Sequence, residues 1–222
     1  MHMKIMVIAP HPDDETLGLG GTLLRRLSEG CEIAWLIVTK VTTEEGWSAE
    51  VVQRRNSEIA KVAHLYNFKR VYQLNYATTK LDQHPMSGLV KDISDIFNDF
   101  LPEELFIPHR GDVHTDHQYS YDAAVSCTKW FRHPSIKKIL AYETLSETDF
   151  GLNNDQQFSP NVFVDIEKYI DQKIEIMNIY ASEMHKFPFP RSEEAIRSLA
   201  KVRGSSSGFM AAEAFQLLRE RQ

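Results

Sequence analysis

Cysteine is nearly absent: the sequence has two, Cys31 and Cys127, far apart and each in an apolar-patterned segment. That leaves no disulfide framework and no CxxC metal or redox motif, so two reduced, buried thiols are expected, which favours the cytosol. Long apolar runs are missing too. None approaches the roughly 20 residues of a membrane span, and the N-terminus lacks the basic region and apolar core of a signal peptide, so no integral membrane segment is expected. No run of five or more Lys/Arg occurs and the net charge of −6 is mild. Neither nucleic acid nor an anionic membrane surface is therefore an expected partner. Small molecules are, and the sequence is compatible with a homo-oligomer. Internal repeats and low-complexity linkers are lacking, and the one flexible-looking stretch is RGSSSG, Arg203 to Gly208.

What is present is an ordinary globular composition, 42% hydrophobic and 25% charged, over a length that reads as one domain, residues 1–222. A chain of this size buries roughly 70–75% of its unfolded surface, so a metal is not needed merely to fold and any metal is functional. Short β-branched runs alternate with helix-period segments: KIMVIA then Thr16 to Glu29, CEIAWLIVT then Ala49 to Tyr66, RVYQLNY then Gly88 to Phe100, ELFIP then Gln118 to Phe131. IKKILAYE and NVFVDI follow, and the chain from Lys168 onward reads as mainly helical. The pattern predicts an α/β fold, an open, largely parallel sheet with helices on both faces and ligands beyond the carboxyl ends of its strands.

At the first such end stands VIAPHPDDETLGLGG, Val7 to Gly21. The glycines suggest a dinucleotide fingerprint, but a G-x-G-x-x-G starting at Gly18 needs glycine at 23, which is Leu23. Gly18, Gly20 and Gly21 then read as close-packing positions on a helix lying against the sheet, at some cost in helix propensity. Asp13, Asp14 and Glu15 complement a helix N-terminus, yet one capping carboxylate would serve, and like charges in one turn repel unless a cation or proton relieves them. His11 adds a ligand that helix electrostatics does not require. A His and an Asp three residues on, around rigid Pro12, can aim a nitrogen and an oxygen at one metal, with Asp13 beside the ion and not bound.

A third ligand is available in GDVHTDHQ, Gly111 to Gln118, past the fourth strand. Thr115 and Gln118 have capping-box spacing, which puts His117 in the first turn of a helix and His114 just outside it. Surface or satisfied core rings are the reading for His64, His84, His133 and His185, with His109 left open.

APHPDDE together with DVHTDH resembles the PIG-L/LmbE-type family of zinc-dependent N-deacetylases, which act on N-acetylglucosamine-containing substrates. Weaker echoes are RNSEIAKVA from Arg55, AYET from Ala141, SPNVFVDI from Ser159 and AAEAF from Ala211. Pro10 replaces the usual alanine before the histidine and stiffens the strand exit. The resemblance implies a Rossmann-like fold, Zn2+ held by His11, Asp14 and His117, Asp13 as general base, and His114 with Asp116 as a charge-stabilising pair. It implies an N-acetylated sugar or sugar conjugate as substrate, with Arg55, at the arginine of the family's R-x-x-E helix, as a substrate-binding residue. Two histidines and one open position suit such hydrolysis. Asp112 is placed behind a metal-bound histidine or as a loop cap, and Glu15 as a cap or supporting group. Arg110 and Arg203 are further phosphate candidates, and Trp47 and Tyr142 candidates for stacking on a sugar ring.

Two rivals remain at this point. A two-histidine, one-carboxylate set also describes non-haem iron oxygenases, which the strand/helix alternation disfavours. The cluster would also suit a non-catalytic metal- or sugar-binding module, for which Asp13 and His114 would be redundant.

Overall fold

The computed structural model describes residues 2–222. Its centre is a seven-stranded sheet in the order β3-β2-β1-β4-β5-β7-β6. The strands are β1 (Lys4–Ala9), β2 (Glu32–Lys40), β3 (Arg70–Ala77), β4 (Glu104–Pro108), β5 (Lys138–Tyr142), β6 (Val162–Asp165) and β7 (Ala212–Glu220). β3 through β5 run parallel, and β7 is antiparallel to both its neighbours.

Alternation along β1 divides the core. Ile5, Val7 and Ala9 join one cluster with Trp35, Phe106 and Phe215, under α1 (Asp14–Ser28), α2 (Ala49–Tyr66) and α5 (Ile170–Met177). Met6 and Ile8 join the other, under α3 (Met86–Phe100) and α4 (Thr115–Ser126). A strand buried on both faces must be apolar throughout, which is why KIMVIA and AWLIV show no polar alternation. The C-terminal α6 (Glu193–Ser205) packs on β7. β1 pairs with β2 on one side and β4 on the other, so the strand order reverses there and opens a crevice at the carboxyl ends of β1 and β4.

Four expectations need correcting. The C-terminal third is not mainly helical: AEAFQLLRE forms β7, an interior strand between β5 and β6. Its Ala, Glu, Gln, Leu and Arg are good helix formers, but backbone pairing on both sides and burial of Ala212, Ala214 and Phe215 override that preference. RGSSSG is not wholly irregular: Arg203 to Ser205 complete α6, and a Cβ on Gly204 would lie 2.5 Å from the Phe209 carbonyl. α4 stops at Ser126, five residues before Phe131. Cys127 is buried, but Cys31 is only half-buried; both are free thiols.

The glycines of α1 behave as close-packing positions. A Cβ would collide with the Tyr142 ring at Gly18, with the Tyr66 hydroxyl at 2.7 Å for Gly20 and with Ile166 at 2.8 Å for Gly21. The helix kinks at Leu19 (φ −149°, ψ 23°). Glu213 of β7 accepts the freed N–H groups of Gly21 and Thr22 at 2.9 and 2.6 Å, and buried Lys173 pairs with it at 2.7 Å.

Candidate metal and active site

The crevice holds both histidine clusters. β1 ends at Ala9, Pro10 and Pro12 stiffen the exit, and α1 starts at Asp14. From the other side, β4 leads through Asp112 to α4, which carries His117 in its first turn. The cap of α4 is His114 and not Thr115: its Nδ1 accepts the Asp116 N–H at 3.0 Å, while Gln118 donates instead to the Asp112 carbonyl.

His11, Asp14 and His117 each present a ligand atom within 4.8 Å of the others. Asp14 Oδ2 lies 3.5 Å from His11 Nδ1 and 3.3 Å from His117 Nε2. Each ring is anchored through its other nitrogen: His117 Nδ1 on Asp112 Oδ2 at 2.8 Å, and His11 Nε2 on Asp116 Oδ2 at 3.1 Å. A carboxylate accepts a proton from each of those nitrogens, which fixes the tautomers and turns His11 Nδ1 and His117 Nε2 toward Asp14. His117 Nε2 is buried and has no hydrogen-bond partner among the described residues. A buried ring nitrogen facing a carboxylate oxygen calls for a cation between them, so the donor set fits a divalent metal.

The electrostatics carry the same message. Burial disfavours a charged His11, but hydrogen bonds to Asp116 and Asp14 outweigh it and raise its pKa to about 9. Burial also opposes charge on His117, and Asp14 and Asp112 override it, placing it well above an ordinary histidine. Asp14, despite burial, is held well below the carboxylate range chiefly by His117. Protons here hold the positions a metal ion would take.

Asp13 stands beside this cage. Its backbone has φ 141°, a strained region for a residue with a side chain. Two contacts hold it there: Glu15 accepts the Asp13 N–H at 3.1 Å, and Arg191 donates to Asp13 Oδ2 at 3.1 Å. Burial, then the Asp14 charge, lift the Asp13 pKa to about 8 against the pull of Arg191. Glu15 is a supporting group; its other oxygen accepts from Thr16 and Tyr180.

Among the described residues no hydrogen bond joins the His114 and Asp116 side chains, although their polar atoms lie within 4.8 Å. The Asp116 carboxylate is spent on His11 and on the N–H groups of Thr79 and Leu81 at 2.6 and 3.3 Å. His114 Nδ1 accepts from a backbone N–H, which can only donate, so its proton sits on Nε2 and the ring is neutral. Burial and the neighbouring His11 and His117 charges depress its pKa to about 4. Its ring centroid lies 4.5 Å from that of His11.

The site opens into a cavity of about 550 Å³. Arg55 lines it, with Nη1 on the Pro12 carbonyl at 3.1 Å and Nη2 on Glu183. Trp47, 43% exposed, is at the wall. Tyr142 is core, donating to the Ile8 carbonyl, while Arg110 pairs with Asp122 and Arg203 with Glu143, outside the cavity. His133 bonds Ser94 and His109 the Gln156 carbonyl, both as satisfied rings. Sequence reasoning missed Arg191, Glu183 and Glu147. They come from loops with no motif spacing, and only the proline-bounded FPFPR hints at a fixed turn.

Fold and site together define a Rossmann-like α/β protein with two histidines and one carboxylate, a set that could hold a metal ion, at the topological switch point of its sheet. Residues 6–128 match the family PIG-L, GlcNAc-PI de-N-acetylase, and the chain belongs to that family. It is 25% identical to the diacetylchitobiose deacetylase of Thermococcus kodakarensis, over 97% of this chain and 83% of the relative. An uncharacterized deacetylase of Escherichia coli K12 is 26% identical over 80% of this chain and 90% of its own length. The N,N'-diacetylchitobiose deacetylase of Pyrococcus horikoshii, solved with its inhibitor MPG, superposes with a TM-score of 0.78 at 25% identity, over 97% of this chain and 84% of that one.

Proposed function

We propose that the protein is a zinc-dependent N-deacetylase that hydrolyses the acetamide of an N-acetylated amino sugar or its conjugate, giving acetate and a free amine. The observation that carries this reading is Asp13: a strained, buried carboxylate held beside three metal-binding residues without joining them. A pure binding module has no use for it. His11, Asp14 and His117 would hold the ion. Bound zinc supplies a Lewis-acid position and acidifies a water to near neutral pH.

The chain's own groups supply the rest. Arg191 holds Asp13 Oδ2, which leaves Oδ1 to take the proton of the attacking water. The neutral His114 ring offers Nε2–H to the oxyanion that develops on the carbonyl, a role for a hydrogen-bond donor and not for an imidazolium. As the C–N bond breaks, the proton carried by Asp13 passes to the departing amine. Diacetylchitobiose, named in two relatives, marks the substrate chemistry to try first. The free thiols suit a reducing, cytoplasmic location, and no helix among the described residues is long and apolar enough to cross a membrane.

The test is acetate release from N-acetylated amino sugars by zinc-loaded protein, together with two variants. Asp13→Asn should keep one equivalent of zinc and lose about 10²–10⁴-fold in kcat, whereas Asp14→Asn should lose zinc and activity together. Equal zinc loss in both, or parent-rate turnover by Asp13→Asn, would overturn the assignment.

A further inference from the structure

The geometry points to Glu183 as the residue that sets substrate charge: by clamping Arg55 and Arg191 it reserves the site for uncharged N-acetylated sugars and withholds it from phosphorylated ones. This rests on the deacetylase reading and deepens it.

Two arginines in the wall of a sugar-sized cavity would ordinarily announce a phosphate site, since a guanidinium fork matches a phosphate's oxygens two at a time. Here neither fork is free. Arg55 spends Nη1 on the Pro12 carbonyl and Nη2 on Glu183 Oε1. Arg191 spends Nη1 on Asp13 Oδ2 and Glu183 Oε2, each at 3.1 Å, Nη2 on Glu147 at 3.4 Å, and Nε on Ser146 Oγ at 2.8 Å. One carboxylate therefore bridges two cations that come from opposite parts of the chain, α2 and the loop before α6. The side chains of Arg55, Arg191 and Glu183 are only 17–25% exposed, so this lattice is screened far less than a surface pair.

Charge around the whole cavity runs the same way. Besides the two arginines, its one Lys or Arg is Lys40, whose field falls on Glu44. Against these stand Glu44, Glu147, Glu183 and the two carboxylates Asp13 and Asp14, the latter two answering the double charge of a bound ion. With each of these charges already answered, the wall offers an incoming phosphate no spare cation, and it would have to break the clamp to reach a guanidinium. The wall also carries the uncharged hydrogen-bonding groups of Asn56, Gln73 and Asn75, together with Trp47. Amides of this kind both donate to and accept from sugar hydroxyls, and an indole face stacks on a pyranose. Selectivity here is a difference of affinities, and the repulsive element is the clamp.

The experiment compares parent and Glu183→Gln, both zinc-loaded, on two readouts. The first is the ratio of kcat/KM for N-acetylglucosamine to that for N-acetylglucosamine 6-phosphate. Both substrates use the same base, so any loss from a loosened Arg191 cancels in the ratio. The parent should favour the neutral sugar by at least about tenfold, and the variant should move the ratio toward the phosphorylated sugar by a similar factor, through KM. The second readout is the Kd for inorganic phosphate by calorimetry, which needs no turnover. The metal's own affinity for phosphate is common to both proteins, so the tightening on substitution, about tenfold or more, reports the released arginines. Unchanged ratio and unchanged phosphate affinity in a folded variant overturn the proposal, as does a parent that takes both sugars equally. No acetate from either sugar, with tighter phosphate binding in the variant, overturns the deacetylase reading and upholds the clamp. Should Glu183→Gln fail to fold, the parent's own ratio and Glu183→Asp, whose shorter carboxylate cannot bridge both arginines, decide the matter.

Discussion

His11 and His117 are each oriented by a carboxylate of their own, Asp116 and Asp112. The Asp112 carboxylate accepts from His117 Nδ1 and Thr148 Oγ1, so Asp112→Asn should weaken zinc affinity about 10- to 100-fold without removing a ligand. A competition titration with a chromogenic chelator reads this, and unaltered affinity would exclude the orienting role. The pKa shifts give a second prediction, whose sign follows from linkage. His11 is raised to about 9, so its contribution to the metal-free fold is complete below pH 6.5 and is lost as pH rises through 9. Asp13, raised to about 8, is a carboxylate kept protonated by the fold, so its contribution too declines between pH 4 and 8. Chelator-treated protein should therefore lose Tm between pH 6 and 9, while zinc, which takes the protons' place, should flatten that decline. Scanning calorimetry with and without metal is the check. Zinc uptake at pH 7 should also release protons from His11 and His117. That His11, Asp14 and His117 converge with Asp13 beside them was legible in the sequence, because polar groups clustered on short turns at two strand ends face one crevice. Arg191 and Glu183 were not, because a lone charged residue in a loop has no period; only the folded chain sets them 3.1 Å apart.

Among the elements, α1 is the least conventional, since it carries the ligand turn at one end and three glycines that let it sink onto the sheet. Gly18→Ala sets a methyl group against the buried Tyr142 ring and should cost about 1–3 kcal/mol, measurable by urea denaturation. Gly46→Ala lies in open space but at φ +90°, so its cost would be backbone strain alone, and a comparison of the two separates crowding from conformation. Lys173→Met removes the cation beside Glu213 and should cost about 3–5 kcal/mol, because a buried carboxylate is left unpaired. The six strands from β1 to β6 were readable from β-branched apolar runs. β7 was not, since its composition favours a helix and only its neighbours make it a strand. α4 overran in the reading for a related reason: apolar residues continue to Phe131, but Trp130 and Phe131 are exposed and there is nothing for a further turn to cover.

For the molecule as a whole, the family match ends at residue 128, yet Asp13 is held by Arg191 and the kink of α1 by Glu213. The ligand-bearing half is thus finished by the other half. Order of synthesis sharpens this. A chain emerging from the ribosome offers β1 to β6 first, and β5 has a vacant edge until the last strand to be made slides in beside it. An interior strand that arrives last acts as a latch. A fragment ending at Ser207 should stay open and prone to pair edge to edge with its copies, and a peptide of residues 208–222 added in trans should restore the parent circular dichroism spectrum and zinc binding together. A fragment that folds unaided would show that the latch is dispensable. If the latch holds, the metal-binding geometry is completed only once β7 has been made, and a nascent chain cut short of β7 carries the histidines but no finished cage.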